Sequence, residues 1–295
     1  MRVTNSMVLT STLRDLHGTL SRLQGAQTDL STGRVVRKAS DDPAKAAAAM
    51  ALHNQVRRGE HRMRELSDAQ GWFNVADTAL VNSLDLLNRA KELASRAATT
   101  GVTDAGSRAA IAEELGNLRE ELISIANTKY LNRSVFNGTV EGDAYDAAGG
   151  YLGNNAAILR TVAPGTTLRT NLTGEEIFGA QAAPEGDLFA VIDRLATAIT
   201  AGNPADMATE QDNLDAARIR MASATAELGS RSARLDSIKA RAQADDVSLK
   251  TTLSEIEDTD LAGALMDVKN RENAYNAALS AAARVIPQSL LDYLR

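Results

Sequence analysis

The residues with the most reactive side chains are three histidines and a group of carboxylates near the middle of the chain. His53 and His61 are eight residues apart, and neither is followed by the Glu of an HExxH zinc motif. Glu141, Asp143 and Asp146 resemble half of a calcium loop, but the remaining ligand spacing and the bidentate Glu are missing. We therefore expect no metal and no cofactor at either group.

Two further sequence patterns do not indicate a binding or modification site. Gly149-Gly150-Tyr151-Leu152-Gly153 matches neither a dinucleotide-binding motif nor a P-loop, and is more simply a turn. Asn132-Arg133-Ser134 and Asn171-Leu172-Thr173 fit the glycosylation sequon, which is short enough to be common by chance. No nucleophile, base and orienting group are arranged as in a catalytic site, so the sequence predicts a protein that is not an enzyme.

Composition favours long, closely packed helices in roughly two domains. Of 295 residues, 44% are hydrophobic but only 3% are aromatic, so Ala and Leu fill the apolar positions. The net charge is −6, with both signs interspersed, and this argues against nucleic acid as a partner. The absence of Cys excludes disulfides and thiolate metal sites. We expect no membrane insertion, because no apolar run is long enough, and no cleaved secretory signal.

The clearest helical period lies near the start of the chain. Apolar residues recur there with alternating spacings of four and three, which is the heptad seam of a coiled coil. Polar residues such as Arg14 and Asp15 occupy the other faces, so the stripe is narrow and needs a partner. The predicted seam residues are Leu9, Leu13, Leu16, Leu20, Leu23, Gln27 and Leu30.

The end of the chain carries a second stripe with the same alternating spacing. We expect the two terminal helices to lie along one another as an assembly seam and to leave outward faces for neighbouring subunits. An equally open alternative is that both are ordinary helices of one compact bundle. The second stripe consists of Leu261, Leu265, Val268, Glu272, Tyr275, Leu279, Ala282 and Ile286.

Helix start and stop signals separate the first helix from the next. Gly33 suits a left-handed cap that ends the first helix. Asp42 can accept hydrogen bonds from backbone N–H groups at the start of the second helix, where Pro43 loses nothing by lacking its own. We expect these three residues to form an inter-domain hinge.

The fold class predicted from these patterns is mainly α. We expect a long antiparallel helical rod with terminal coiled-coil helices and a small β-hairpin region in the middle. Asn137-Gly138 predicts a hairpin, and short strands are expected near residues 151–152, 157–159 and 167–169. The predicted domains are an inner domain of residues 1–33 and 257–295, a linker at 34–43, and an outer helical rod at 44–256 with a β-rich segment at about 131–186.

Several stretches together resemble the flagellin family. They are specific jointly, although each alone is short, and the resemblance covers roughly residues 1–140 and 205–295. The matching stretches, in the expected order, are Leu30–Arg34, Ala39–Ala44, Ala126–Thr128, Ser134–Thr139 and Ala226–Arg231.

Within that family, three stretches resemble the members that join the hook to the filament. These are the opening Met1–Met7, the Gly71–Phe73 segment and the ending Ser289–Arg295. Leu131–Ser134 instead resembles the subunits that form the filament itself. The resemblance therefore implies a structural subunit at the hook-filament junction, with a filament flagellin as the alternative. A cytoplasmic coiled-coil adaptor is a third hypothesis, to which the heptads alone would lead.

The resemblance also implies partners and a location. It implies type III export to the extracellular bacterial flagellum and assembly with other copies in a ring. The other hook-associated protein is the expected partner on the hook side and flagellin on the filament side. An export chaperone is expected at the C-terminal helix.

The last residues predict a docking contact. Pro287 interrupts the final helix because it lacks a backbone donor. Leu290, Leu291 and Leu294 then form one short apolar face. The alternative is a frayed C-terminus with no partner.

Overall fold

The structure is a computed structural model that describes residues 5–98, 104–163, 165–181 and 186–285. Within these ranges the chain is mainly α with two small antiparallel hairpins, which confirms the predicted fold class. The elements in chain order are α1 (Asn5–Thr32), α2 (Pro43–Ala98), α3 (Ala105–Ala126), β1 (Lys129–Tyr130), β2 (Arg133–Ser134), β3 (Leu159–Ala163), β4 (Thr166–Arg169), α4 (Gly174–Phe178), α5 (Leu188–Ala201), α6 (Pro204–Glu257) and α7 (Leu261–Val285).

These elements belong to two compact units. The terminal unit contains Met1–Arg58 and Asp245–Arg295, and the central unit contains Gly59–Ala244. Helices α2 and α6 each contribute residues to both units. Residues 34–43, the expected linker, fall within the terminal unit. The division into inner domain, linker and outer rod stays a prediction.

Local side-chain chemistry explains where the shorter helices begin and end. The Asp104 side chain accepts a hydrogen bond from the N–H of Ser107 (3.1 Å) at the start of α3. Asp187 does the same for the N–H of Ala190 (2.8 Å) at the start of α5. Gly202, at φ 68°, ends α5 in the left-handed conformation. Each cap satisfies backbone groups that a helix end leaves without partners.

Helix α5 is an apolar helix, with seven of its 14 residues buried. It packs against α3, and its 14 residues are fewer than the roughly 20 that a membrane span requires. In the parts of the chain that the structure describes, no helix combines the length and apolarity needed to cross a membrane. The buried residues of α5 are Leu188, Phe189, Val191, Ile192, Leu195, Ala198 and Ile199.

The first hairpin has strands of two residues each and does not lie at the predicted position. Strands β1 and β2 pair antiparallel with Tyr130 opposite Arg133. The two residues between them, Leu131 and Asn132, have φ angles of 48° and 63°. Positive φ at both central positions is the geometry that two-residue hairpins favour, because its twist matches that of the strands.

The predicted hairpin at Asn137-Gly138 is wrong. Both residues are buried in a loop, where the Asn137 Nδ2 donates to the carbonyl oxygen of Val140 (3.1 Å). Gly138, at φ 66°, lies so close to Asn154 that a Cβ would collide with the Asn154 backbone oxygen. The glycine is therefore required by close packing of a loop and not by a turn between strands.

The second hairpin agrees in part with the expected strands. Strands β3 and β4 pair antiparallel with Arg160 opposite Leu168, and the register shifts between Thr161 and Ala163. The expected strand at 167–169 lies inside β4, whereas that at 157–159 meets β3 only at its first residue. Residues 151–152 form no strand. Tyr151 makes one isolated bridge, with Tyr145.

The few aromatic residues are concentrated in the core of the central unit. Phe178 stacks on Phe189 with ring centroids 5.6 Å apart, and Tyr145 lies 5.0 Å from Phe189. Burial raises the pKa of Tyr145 far above that of an ordinary tyrosine and raises the pKa of Tyr151 to about 12. The Tyr145 ring thus acts as a packing group, whereas the Tyr151 hydroxyl also lies 3.0 Å from the carbonyl oxygens of Phe136 and Asn154.

Candidate functional site

The described histidines of α2 make short-range contacts with carboxylates. Nε2 of His53 lies 2.7 Å from Oε1 of Glu257. His61 lies on the same helix as its partner, with Nδ1 3.5 Å from Glu65. Each of these histidines contacts a single carboxylate, and one histidine with one carboxylate is not the donor set of a metal site.

The carboxylates that resembled half of a calcium loop do not share a ligand site. Two of them make separate contacts with other groups of the protein. Asp143 lies 2.8 Å from Nζ of Lys129. Asp146 accepts a hydrogen bond from the N–H of Gly150 (2.7 Å). Among the described residues, no group of three or more His, Asp or Glu side chains could hold a metal ion.

The two sequons differ in exposure. Asn132 is exposed in the β1–β2 turn. Asn171 is fully buried, with Nδ2 2.9 Å from the carbonyl oxygen of Ala156 and Oδ1 accepting from the N–H of Ile158 (2.8 Å). The second asparagine therefore holds a loop together and is inaccessible to any modifying enzyme.

The terminal helices pair with each other. Helix α1 packs along α7, and the Arg271 Nη1 donates to the backbone oxygen of Arg22 at 3.2 Å. The least exposed positions of each helix recur with spacings of four and three, as in a heptad seam. They are Leu16, Thr19, Leu23, Ala26 and Leu30 in α1, and Ala264, Val268, Arg271, Tyr275, Ala278 and Ala282 in α7.

The predicted seam residues are therefore divided between two faces. Leu16, Leu23, Leu30, Val268 and Tyr275 lie on the less exposed stripes, and Leu20 is half-buried beside them. The other leucines lie outside: Leu13 is 42% exposed, Leu261 59%, Leu265 62% and Leu279 40%.

Helix α7 thus carries two apolar stripes on different faces. The inner stripe, which faces α1, includes three alanines, Ala264, Ala278 and Ala282, which allow close approach of α1. The other, the outer stripe, carries Leu265 and Leu279, which α1 does not cover, and Met266 beside it is 64% exposed. Leu261, seven residues before Val268, has the register of the inner stripe but is exposed at the first residue of α7. The predicted stripe shares Val268, Tyr275 and Ala282 with the inner stripe. It takes Leu265 and Leu279 where the structure has Ala264 and Ala278, because leucine gives the stronger apolar signal. Alanine at heptad spacing was the signal for the inner stripe.

Some predicted site residues cannot be placed. Leu9 lies within α1, but its side chain is not among the described ones. Ile286 and the predicted docking residues Leu290, Leu291 and Leu294 lie outside the described residues. The proposed roles of these residues in assembly stay predictions. The role of the seam residues in assembly also stays a prediction.

The hinge residues occupy the two ends of the connection between α1 and α2. Gly33 has φ 68°, and its N–H donates to the Asp29 carbonyl oxygen at 2.9 Å. Asp42 Oδ1 accepts from the N–H groups of Ala44 and Lys45, both at 3.0 Å, and Pro43 is the first residue of α2. The role of this segment as a hinge stays a prediction.

The connection itself is ordered by contacts that the sequence did not reveal. The N–H of Val35 donates to the Glu257 carbonyl oxygen (2.8 Å), and the N–H of Thr259 donates to the Gly33 carbonyl oxygen (2.9 Å). The link between α1 and α2 therefore pairs with the link between α6 and α7. Backbone N–H groups of Lys38 and Arg37 donate to Asp41 and hold the pKa of that carboxyl below its usual value.

A buried carboxylate reinforces this pairing. Glu257 is only 7% exposed, and besides His53 it has Arg34 Nη1 at 3.6 Å. His53 is 204 residues from Glu257 in sequence, so only the folded chain brings these groups together. A buried carboxylate without such partners would be costly.

Two family models match the chain at its two ends. The bacterial flagellin N-terminal helical region matches residues 3–141, and the bacterial flagellin C-terminal helical region matches residues 211–294. The chain belongs to the flagellin family. The paired helices α1 and α7 lie within the two matched regions.

Individual relatives and structures of the flagellin family resemble the chain at moderate identity. It is 26% identical to flagellin of Bacillus subtilis over the full length of both chains. It is also 26% identical to flagellar hook-associated protein 3 of Salmonella typhimurium, over 68% of this chain and 66% of that protein. A solved structure described as a flagellar hook-associated protein of Vibrio parahaemolyticus matches with a TM-score of 0.68 at 20% identity, over 74% of this chain and 100% of that one. At this identity the structural likeness concerns the fold alone.

Proposed function

We propose that the protein is a structural subunit of the bacterial flagellum that joins the hook to the filament. The observation that carries this proposal is the likeness to hook-associated protein 3, which extends over about two thirds of both chains. The fold likeness to a hook-associated protein supports it. The protein acts by binding neighbouring subunits, and we assign it no catalytic residues.

The surface of the terminal unit supports a role in assembly. On α7, Leu265 and Met266, together with Leu261 at its first residue, are each about 60% exposed and have no cover within the described chain. Met7 of α1 is 63% exposed. Burying apolar surface yields about 25 cal/mol for each Å², so neighbouring subunits that cover these side chains gain stability by doing so.

The proposed partners follow from a junction position. Other copies of the chain form a ring, another hook-associated protein lies on the hook side, and flagellin lies on the filament side. An export chaperone binds the C-terminal helix before secretion. The protein then functions outside the cell, in the flagellum.

The second candidate function is a subunit of the filament itself. The observation that favours it is the match to Bacillus subtilis flagellin, which extends over 100% of both chains. Both candidates require self-assembly through the terminal helices, so the surface of α7 does not separate them.

Deletion of the gene separates the candidates. A junction protein predicts cells that keep their hooks, lose their filaments and release flagellin monomer into the medium. An epitope-tagged copy should restore filaments and label a short zone at the distal end of the hook.

Three results would contradict the junction proposal. Label along the whole filament, or loss of filament protein without release of monomer, would support the filament flagellin. Retention of the tagged protein inside the cell, with none in sheared appendages, would support the cytoplasmic adaptor.

A further inference from the structure

A groove between α2 and α6 of the central unit has an apolar floor and a charged rim. Its volume is about 270 Å³. The lining residues Phe73 and Leu228 are each 1% exposed and form the floor, whereas Asp77 and Asp236 are exposed at the rim. This combination suits an arginine, whose aliphatic stem packs on apolar surface while its guanidinium binds carboxylates. The other lining residues are Asn74, Gly229, Ser232 and Ala233.

The two carboxylates of the groove have no counter-ion of their own. Among the residues that the structure describes, no Lys, Arg or His nitrogen lies within 4 Å of Asp77 or Asp236. A cationic group placed between them would therefore be attracted by both.

Gly229 keeps the groove open. A Cβ at this position would meet no atom within 4 Å. Glycine also weakens the interior of a helix such as α6 relative to most other residues. The space beside Gly229 is therefore available to a side chain from outside.

A positive projection lies elsewhere on α2, where the β1–β2 hairpin packs on it. The exposed Arg133 has its guanidinium 5.9 Å from the Trp72 ring centroid. Tyr130 meets Trp72 edge-on at 6.1 Å, and Gly71 makes room for the Tyr130 phenol. These contacts hold the hairpin in place. In the described chain Arg133 makes no ion pair shorter than 4 Å, so its charge is available for another partner.

The projection and the groove face different directions at the same height. An α-helix turns by about 100° and rises by about 1.5 Å at each residue. Phe73 and Asp77 therefore lie roughly 100–160° around the axis of α2 from the two residues that hold the hairpin, Gly71 and Trp72. All four residues fall within roughly 9 Å along this axis. One copy can thus present its projection on one side and its groove on another.

We propose that Arg133 of one copy binds between Asp77 and Asp236 of a second copy, and that this contact joins neighbouring subunits of the junction ring. The inference rests on the proposed function, because it requires copies to lie side by side. Charge complementarity favours a second copy as the occupant, since every copy carries both the cation and the carboxylates. Different patches that meet head to tail repeat from copy to copy, as a ring requires.

Disulfide trapping tests the contact in assembled flagella while Arg133 and both carboxylates stay in place. The chain contains no Cys, so Leu131→Cys in the hairpin turn with Ala233→Cys in the groove introduces the only two thiols. Their positions on different sides of α2 prevent a bond within one copy. Mild oxidation of sheared flagella should give dimers, trimers and larger species on a non-reducing gel, and each single variant should stay monomeric. Monomer alone, or no species beyond the dimer, would overturn the inference.

The location of the tagged protein separates the two levels of the proposal. If the protein without cysteine substitutions is absent from the hook end, the proposed function itself has failed. If the double variant is present there and filaments form, but no cross-linked ladder appears, only the Arg133 contact has failed.

A charge exchange tests the same contact without a new bond. Arg133→Asp places a third carboxylate at the groove of the neighbouring copy, so flagellin leakage should increase several-fold. Adding Asp77→Arg and Asp236→Arg restores opposite charges and should reduce the leakage again. Normal filaments in the single variant, or no rescue in the triple variant, would overturn the inference.

Filling the groove gives a variant that keeps the monomer folded. Gly229→Leu replaces a helical glycine by a better helix former, so the melting temperature should stay the same or rise, while leakage increases several-fold because the groove is occupied. The matched control is Gly116→Leu in α3, where a Cβ also meets no atom within 4 Å, and it should not increase leakage. Equal leakage from both variants, or none from either, would count against the contact.

Discussion

The two units of the chain bury very different interiors. All members of the contiguous hydrophobic core lie in the central unit, and so does each buried aromatic residue among those that the structure describes. The buried apolar residues that the structure describes in the terminal unit are fewer and mostly alanine: Leu23, Ala26, Val36, Ala46, Ala49, Val56 and Ala282. The bulky side chains of the terminal unit point largely outward.

This difference shows where each unit obtains its stability. The central unit covers its aromatic cluster with its own chain, so its folding needs no partner. The terminal unit has a thin inner seam and leaves Leu261, Leu265 and Met266 to be covered from outside. Ordering a long helix costs conformational entropy that a stripe of alanines offsets poorly. We therefore expect damage to the central unit to unfold it, and damage to the outer stripe to prevent assembly.

The largest effect is expected from Phe189→Ala in the central unit. Phe189 is 1% exposed and packs on Phe178 and Tyr145, so its truncation leaves a cavity and should lower the free energy of unfolding by about 3–5 kcal/mol. Urea unfolding followed by fluorescence of Trp72, the single tryptophan, reports this unit. The control is Leu265→Ala in the terminal unit, which should change that transition by less than about 0.5 kcal/mol. Equal losses would remove the distinction between the units.

A charge placed on the terminal helices should prevent assembly and leave the stability of the central unit unchanged. Leu279→Asp should leave the Trp72 transition unchanged, because Leu279 is 40% exposed in the monomer, but it should abolish incorporation into flagella. Burying an unpaired carboxylate in a subunit contact costs several kcal/mol. Leu20→Asp should do the same and also loosen α1 from α7, since Leu20 is half-buried. Immunoblots of sheared flagella measure incorporation.

Normal flagella built from either aspartate variant would show that the assembly seam is assigned to the wrong residues. The matched control is Ser280→Asp, which adds the same charge one residue away at an exposed position of α7. It should be incorporated like the unaltered protein. Loss of incorporation for this control as well would mean that any charge on α7 is disruptive, and that the outer stripe has no special role.

The features that sequence reasoning predicted correctly are those with local causes. The acceptor at Asp42, the glycine at Gly33 and the heptad spacing act within a few residues, and the structure has helix ends and helices at those places. The position of the hairpin turn could not be predicted. Asn137-Gly138 has the usual turn composition, but its asparagine and glycine serve a packed loop, whereas Leu131-Asn132 makes the turn despite an unfavourable residue.

The site was predicted less completely because its geometry depends on contacts between distant residues. Which stripe of α7 faces α1 depends on how closely the helices approach, and alanines decide this without a strong hydrophobic signal. The carboxylate of Glu257 and its partner His53 are far apart in sequence, so no spacing rule connects them. The outer leucines were identified as interaction residues, but they were expected in the same seam as the inner ones.

A smaller effect is expected at the start of α2 in the terminal unit. Asp42→Ala removes the acceptor of two N–H groups and should destabilise the first turn of α2 by about 1 kcal/mol. Adding Pro43→Gly should destabilise it further, because glycine increases the entropy of the unfolded chain. Hydrogen exchange at residues 44–46 should accelerate, while the Trp72 transition stays unchanged. Asp41→Asn is the control, since Asp41 holds the preceding turn and not the helix. Unchanged exchange in the double variant would exclude a capping role.

The smallest effect is expected from a single charge in the central unit, and it should depend on pH. Burial alone would raise the pKa of Glu176, but hydrogen bonds from Arg169 (2.7 and 2.9 Å) and from the N–H of Thr173 (2.9 Å) outweigh it, so the pKa lies below the ordinary value of 4.5. A carboxyl with a lowered folded-state pKa stabilises the fold above its unfolded pKa, and this contribution is lost as the pH falls through the folded value.

Glu176→Gln should therefore destabilise the central unit at pH 7 by less than about 1 kcal/mol, because the Glu176 side chain is 42% exposed and solvent screens the pair. The difference from the unaltered protein should shrink as the pH falls below 4.5 and Glu176 itself becomes neutral. Urea unfolding at both pH values measures this through Trp72. Glu175→Gln removes the neighbouring carboxylate without breaking the Arg169 pair, so it controls for the lost charge at the start of α4. A difference of the same size at both pH values would mean that Glu176 acts through packing. In that case protonation of Glu176 would not lower the stability of the central unit at acidic pH, and this residue would give no difference in acid sensitivity between the two units.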